Sequence, residues 1–258
     1  MSRDIFTNKK TLPMAEIFGP TTQGEGNRVG EKVYFIRFSG CDFRCAWCDS
    51  EYTHRVTPNT KYYTVPQLLD LVDALPGKAD GIVITGGNPA LYDLEAFIHE
   101  LHDRDLKVHI ETQGSIFPSW LRLVDYVVFS PKPPSSKMSE KYDKSNLVYE
   151  LNKFSRDRAD DNRENGTSKT VIVKTPIFDD IDYEWTKDLF KKLTHMDRKY
   201  FSVGNANSSP DDDKETVVQG ILKAYGWLQD KVLADDDLLD ISVLPQLHAL
   251  LWGTMTGV

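Results

Sequence analysis

Val33-Tyr34-Phe35-Ile36-Arg37-Phe38-Ser39-Gly40-Cys41-Asp42-Phe43-Arg44-Cys45-Ala46-Trp47-Cys48-Asp49-Ser50 is the stretch that organises the rest of the chain. Val33–Phe38 is an apolar, aromatic run of the kind found in strands buried on both faces. Gly40 breaks it, so the cysteines fall in a loop at a strand's C-terminal end. Similar short runs recur at Gly81–Thr85, Lys107–Glu111, Tyr126–Ser130, Thr170–Lys174, Tyr200–Val203 and Leu239–Val243. Helical patterns lie among them at Val65–Leu75, Leu94–Asp103, Asn146–Phe154, Glu184–His195 and Glu215–Leu233. In the last, Val218, Ile221, Leu222, Tyr225 and Leu228 recur at helical spacing and are expected to share one face. Alternating strands and helices imply an α/β fold with a parallel sheet. About six or seven strands suit a partial (β/α) barrel of about six parallel strands, with a doubly wound sheet as the second arrangement. Both place a site at the C-terminal strand ends. Two polar stretches, Arg156–Ser168 and Asn205–Lys214, are expected to be surface loops.

The 258 residues suffice for a sizeable core, and a single domain over 1–258 is expected, with a short N-terminal loop and a C-terminal extension. A net charge of −8 gives no general pull toward nucleic acid or anionic membrane. No apolar run approaches the roughly 18 residues of a membrane span. Met1–Lys10 is polar and lacks a signal-peptide core, so the expected location is the cytoplasm.

The chain's three cysteines all fall within Cys41–Cys48, spaced C-x3-C-x2-C. An odd number this close cannot build a disulfide framework, and in a reducing compartment such a group reads as a metal or cofactor site. Thiolates bind iron–sulfur clusters, and three ligands on a four-iron cluster leave one iron open to a cosubstrate. Two other readings stay open: three structural cysteines, and a Cys3His zinc site that recruits His54.

With the aromatic Trp47 before the last cysteine, the motif resembles the signature of the radical S-adenosylmethionine superfamily. The resemblance implies a [4Fe–4S] cluster on Cys41, Cys45 and Cys48 whose open iron chelates S-adenosylmethionine and cleaves it to a 5′-deoxyadenosyl radical. The next strand ends in Ile84-Thr85-Gly86-Gly87-Asn88-Pro89, which resembles the superfamily's glycine motif, with Asn88 where glutamate is usual. Gly86 and Gly87 would then meet the methionine amino group. Further strand ends offer Glu111 in Glu111-Thr112-Gln113-Gly114, Ser130 and Lys132 in Ser130-Pro131-Lys132-Pro133-Pro134, and Gly204 with Asn205 for the cofactor.

Upstream, Glu16-Ile17-Phe18-Gly19-Pro20-Thr21-Thr22-Gln23-Gly24-Glu25-Gly26-Asn27 reads as a loop. The Gln23 amide and Glu25 carboxylate could read an edge that carries an amide and an amino group side by side. Arg37, alone in an apolar strand, needs a partner, either a substrate carboxylate or an internal acid.

Together with Ser130-Pro131-Lys132-Pro133-Pro134-Ser135-Ser136-Lys137-Met138 and Leu244-Pro245-Gln246-Leu247-His248-Ala249-Leu250-Leu251-Trp252-Gly253, these motifs resemble the 7-carboxy-7-deazaguanine synthase family in its Bacillus-like form, from about Pro13 to Gly253. The resemblance implies conversion of 6-carboxy-5,6,7,8-tetrahydropterin to 7-carboxy-7-deazaguanine with loss of ammonia and regeneration of S-adenosylmethionine. It implies Mg²⁺ at Ser50, and substrate contacts at Thr22, Gln23, Gly24, Glu25, Arg37 and Thr85 and through the C-terminal carboxylate of Val258. It also implies an external, flavodoxin-like electron donor and a homodimer. The cofactor carries the radical chemistry, so a strand-end pocket with few titratable groups would suffice. No Ser-His-Asp set or paired carboxylates call for hydrolysis. His99, His102, His109 and His195 read as structural or exposed, and His248 as pocket-lining or packed. A glycyl-radical activase is the rival enzyme, and a zinc-binding interaction module the rival non-enzyme.

Overall fold

The computed structural model describes residues 10–206, 212–255 and 257. Most of the polar N-terminus, part of the second polar stretch and Val258 lie outside these. The described strands are β1 (Leu12–Thr22), β2 (Lys32–Phe38), β3 (Lys61–Tyr63), β4 (Gly81–Gly86), β5 (Lys107–Thr112), β6 (Tyr126–Phe129), β7 (Thr170–Ile177), β8 (Arg198–Val203) and β9 (Ile241–Leu244). They form one sheet in the order β3-β1-β2-β4-β5-β6-β7-β8-β9. From β2 to β9 neighbours pair in parallel, while β1 runs antiparallel to both β2 and β3. β3 and β9 are the two edges of the sheet and do not pair with each other, so the α/β barrel is partial.

The helices are α1 (Val65–Asp73), α2 (Glu95–His102), α3 (Lys144–Asn165), α4 (Asp180–Lys191), α5 (Lys214–Leu233) and the short α6 (Leu247–Trp252). Their starts are written in side chains. Thr64 and Gln67 form a reciprocal capping box on α1, and Asp143, Asp179 and Asp213 cap α3, α4 and α5. Leu68 of α1, Phe97 and Ile98 of α2, Leu151 of α3 and Phe190 of α4 pack with Ile84, Ile110, Phe129, Val173 and Phe201 of the strands in one core. A smaller cluster joins Val128, Ile172 and Tyr200 of three adjacent strands. Ile172 and Lys174, two residues apart, share its face of β7.

The structure departs from the sequence reading in four places. The segment expected as a loop from Glu16 is strand through Thr22, because it pairs with β2 from Met14 to Thr22 across two register shifts. The stretch Arg156–Ser168 is helical as far as Asn165 and stops at Gly166 in left-handed conformation. Its charges are used. Lys153 and Asp157 pair one turn apart, and buried Arg158 donates to the carbonyls of Val124 (2.6 Å) and Leu121 (2.7 Å). α4 begins a turn earlier than expected, at the Asp179 cap. In α5 the buried residues are Val217, Ile221 and Leu228, whereas Leu222 is 54% exposed, so the expected face is rotated.

Candidate active site

β1 and β2 place the first charged pair. Their register sets Glu16 opposite Arg37, and the guanidinium Nε lies 2.8 Å from Glu16 Oε1. Tyr52 donates its hydroxyl to the same oxygen at 2.5 Å. Arg37 therefore has the internal acid that its position in a strand demanded. It still faces the cavity, beside Thr85, its register partner on β4.

Past Phe38 the chain turns into the cysteine loop, which backbone bonds fix: Gly40 N donates to Thr53 O (2.7 Å), Cys41 N to His54 O (3.1 Å) and Ala46 N to Ser136 O (3.0 Å). The three thiols are half-buried and line one cavity. Burial raises all three, Cys41 to about 12, with the neighbouring thiols and Asp42 adding to it. Such a set holds protons until a metal displaces them. Among the described residues, no three His, Cys, Asp or Glu side chains converge as a single metal ion requires. The Cys3His arrangement with His54 is therefore not formed. A four-iron cluster asks less of the loop, since each thiolate binds a different iron. Ser50, buried, follows on the same wall with Asp49.

The glycine motif sits hard against this loop. A Cβ on Gly86 would stand 2.3 Å from Phe38 O, and one on Gly87 2.1 Å from Gly40 O. The two glycines thus permit the close approach of β4's exit to the cysteine loop. Asn88 turns away from the cavity. Fully buried, it donates Nδ2 to Asp42 Oδ1 (2.9 Å) and Ser115 Oγ (3.1 Å), and accepts at Oδ1 from Thr112 Oγ1 (2.8 Å) and Ala90 N (3.2 Å). Gln113 Nε2 donates to the same Asp42 oxygen at 2.6 Å.

On the far side, Lys132 donates to Ser130 Oγ (2.9 Å) and stands 5.9 Å from the Trp47 ring centroid. Trp47 packs on Phe178 at 4.8 Å and donates to Ser135 Oγ at 2.9 Å. Gly204 and Asn205 complete that wall.

The N-terminal residues Thr22, Gln23, Gly24 and Glu25 form the opposite wall, where the chain's C-terminal segment covers them. Leu247 N donates to Gly24 O at 3.0 Å, and a Cβ on Gly24 would meet the His248 ring at 2.4 Å. His248 lines the cavity, as do Thr254, Met255 and Gly257. Gln246 Nε2 donates to Glu25 Oε1 at 2.8 Å. The other Glu25 oxygen meets Lys174 of β7, whose ammonium is also 3.8 Å from Glu111 Oε1. Burial alone would raise the Glu25 carboxyl, but Lys174 and then His248 hold it at about 2.

Every site residue expected from sequence lines this cavity except Val258, which lies outside the described residues. The expectation of few titratable groups fails. Glu16, Glu25, Asp49, Glu111, Arg37, Lys132, Lys174, His54 and His248 all line it, and burial is tolerated because most are paired. Lys174 and Gln246 escaped the sequence reading. The signal for Lys174 was present: a lone cation in the apolar strand TVIVKTPI, the same argument that singled out Arg37. Of the other histidines, His102 pairs with Asp125 at 2.9 Å, and His109 is buried against Tyr126.

The radical SAM superfamily profile matches residues 35–128. The chain is 38% identical over 253 residues to the 7-carboxy-7-deazaguanine synthase of Bacillus subtilis, covering 96% of this chain and 99% of that protein. It is 36% identical over 251 residues to that of Bacillus cereus, with the same coverage. The crystal structure of QueE from Escherichia coli superposes with a TM-score of 0.66 at 21% identity, over 96% of this chain and 99% of that one, and so shares the fold.

Proposed function

Because the chain belongs to the 7-carboxy-7-deazaguanine synthase family of radical SAM enzymes, we propose that its cavity contracts 6-carboxy-5,6,7,8-tetrahydropterin to 7-carboxy-7-deazaguanine with loss of ammonia. The observation that carries this reading is the joining of two walls in one cavity: the cysteine loop on one, Gln23 and Glu25 on the other.

The family works through a [4Fe–4S] cluster and S-adenosylmethionine, which when bound supply the 5′-deoxyadenosyl radical. Cys41, Cys45 and Cys48 would hold the cluster, and the crowded, proton-holding thiols suit a ligand that replaces those protons. The backbone at Gly86 and Gly87, with Glu111, Ser130, Lys132, Gly204 and Asn205, would hold the cosubstrate. Trp47 and Phe178 offer apolar faces beside them. Ser50 would give Mg²⁺ one hard oxygen, an ion that keeps waters and takes its remaining ligands from substrate.

Glu25 is ionised, so it accepts only, and suits paired N–H donors of the pterin's amino-pyrimidinone edge. Gln23, Thr22 and Thr85 add neutral polar contacts, and Arg37 can share its fork between Glu16 and the substrate carboxylate. Gln246, His248 and Ala249 of the C-terminal segment line this end of the cavity, where they would help shield a radical from water. An external flavodoxin-like donor, a homodimeric state and a cytoplasmic location complete the proposal. No helix among the described residues is long and apolar enough to cross a membrane.

The test is anaerobic reconstitution with iron and sulfide, followed by dithionite, S-adenosylmethionine, Mg²⁺ and the pterin. Mass spectrometry should find 7-carboxy-7-deazaguanine from the native chain and none from Cys45→Ala. 5′-Deoxyadenosine without that product would keep the radical chemistry and remove the substrate.

A further inference from the structure

Lys174 is 4% exposed and stands in β7 between buried Val173 and buried Thr175. A buried ammonium is strongly disfavoured unless carboxylates and hydrogen bonds surround it. Here the partners come from elements remote in sequence. Glu25 follows the N-terminal strand, 149 positions away, and Glu111 ends β5. Glu25, Glu111 and Lys174 all line the cavity, so the ion pair is not a sealed structural one.

The charged and polar groups around Glu25 are few. Lys174 approaches from β7, and Gln246 and His248 come from the C-terminal segment. Glu111 of β5 and, farther off, Asp49 of the cysteine loop act on Lys174. Without the ammonium, Glu25 would sit desolvated, with His248 as its remaining nearby basic group. A carboxyl so placed takes up a proton near neutral pH and turns from a pure acceptor into a donor. It would then mismatch an edge made of N–H groups.

We propose that Lys174 is a positioning residue for the substrate step: it keeps Glu25 ionised and aimed at the pterin edge, and it takes no part in cleaving S-adenosylmethionine. This rests on the reading that Glu25 meets the substrate.

The experiment uses reconstituted holoenzyme and follows product and 5′-deoxyadenosine separately from about pH 6 to about pH 8.5, a range spanning the titration of a desolvated carboxyl. In Lys174→Met, product kcat/KM should fall about a hundredfold at neutral pH, while uncoupled 5′-deoxyadenosine release, measured without pterin, stays within about threefold. The variant's product rate should climb with pH as Glu25 ionises. The native enzyme and the Glu25→Gln/Lys174→Met double variant should show no such limb.

Parallel loss of product, 5′-deoxyadenosine and cluster iron in Lys174→Met, with iron restored in the double variant, would make the pair a folding element and overturn the proposal. So would unchanged product formation in Lys174→Met while Glu25→Gln is inactive. Full product formation by Glu25→Gln would instead remove the underlying reading of Glu25.

Discussion

Asn88 gives its side-chain amide to the Asp42 carboxylate at 2.9 Å, joining the residue after the glycine pair to the residue after the first cysteine. Gln113 Nε2 donates to the same Asp42 oxygen at 2.6 Å, so two buried amides hold the carboxylate that follows the first cysteine. A carboxylate in place of Asn88 would have no N–H to give and would add a second buried negative charge. Asn88→Asp should therefore loosen the cysteine loop, lowering stability by about 2–3 kcal/mol and the iron retained after a chelator challenge. Adding Asp42→Asn returns an amide–carboxylate pair in reverse and should recover much of the iron. Iron analysis and thermal melts of the three variants check this. Equal iron in all of them would mean that the contact does not hold the loop.

Arg37 has two calls on it, the Glu16 carboxylate and the carboxylate of the substrate. Arg37→Met should raise the KM for the pterin about ten- to a hundredfold, because a charge-assisted contact is lost, with 5′-deoxyadenosine formation retained. Steady-state kinetics of 7-carboxy-7-deazaguanine formation, with uncoupled 5′-deoxyadenosine release measured without pterin, decide it. A fall in kcat with unchanged KM would place Arg37 elsewhere in the reaction.

Gly24 is the floor on which His248 rests. Gly24→Ala brings a methyl within 2.4 Å of the ring, so the C-terminal segment must shift. We expect a loss of about 1–3 kcal/mol in stability and a raised KM for the pterin. Gly24→Ala/His248→Ala should regain part of both, read by melting and by kinetics.

His109 gives a pH dependence of stability with a definite sign. Burial, then Arg28, lowers it from 6.5 to about 4. Between those values the unfolded chain binds a proton that the folded chain refuses, so stability rises with pH there and falls on acidification. The contribution is on the order of 3 kcal/mol across that window, and is fully present above about pH 6.5. Denaturant melts from about pH 4 to about pH 7 should show a shallower slope in His109→Gln than in the native chain.

The parallel strands β2 and β4–β8 were legible because each is a short apolar run with glycine or polar residues at its exit. β1 was not, since Glu16, Gly19 and Pro20 break its pattern and only pairing with β2 makes it a strand. The second half of α3 was hidden for the opposite reason. Its charges form ion pairs and an arginine anchor, which a polarity pattern cannot distinguish from a solvated loop. In the site, the cysteines announce themselves by spacing and the glycines by their position after a strand. Lys174 belongs to no motif, and Gln246 sits in the C-terminal motif with no role that its neighbours in sequence suggest; the meaning of both appears only when the fold brings them to Glu25.

On the proposed function, cofactor and pterin meet in this one cavity. The most direct measurement uses pterin carrying deuterium at C6, incubated with the reduced, reconstituted enzyme and S-adenosylmethionine. Deuterium should appear in the S-adenosylmethionine recovered, alongside unlabelled 7-carboxy-7-deazaguanine. Product formed while the recovered S-adenosylmethionine stays unlabelled would contradict the account.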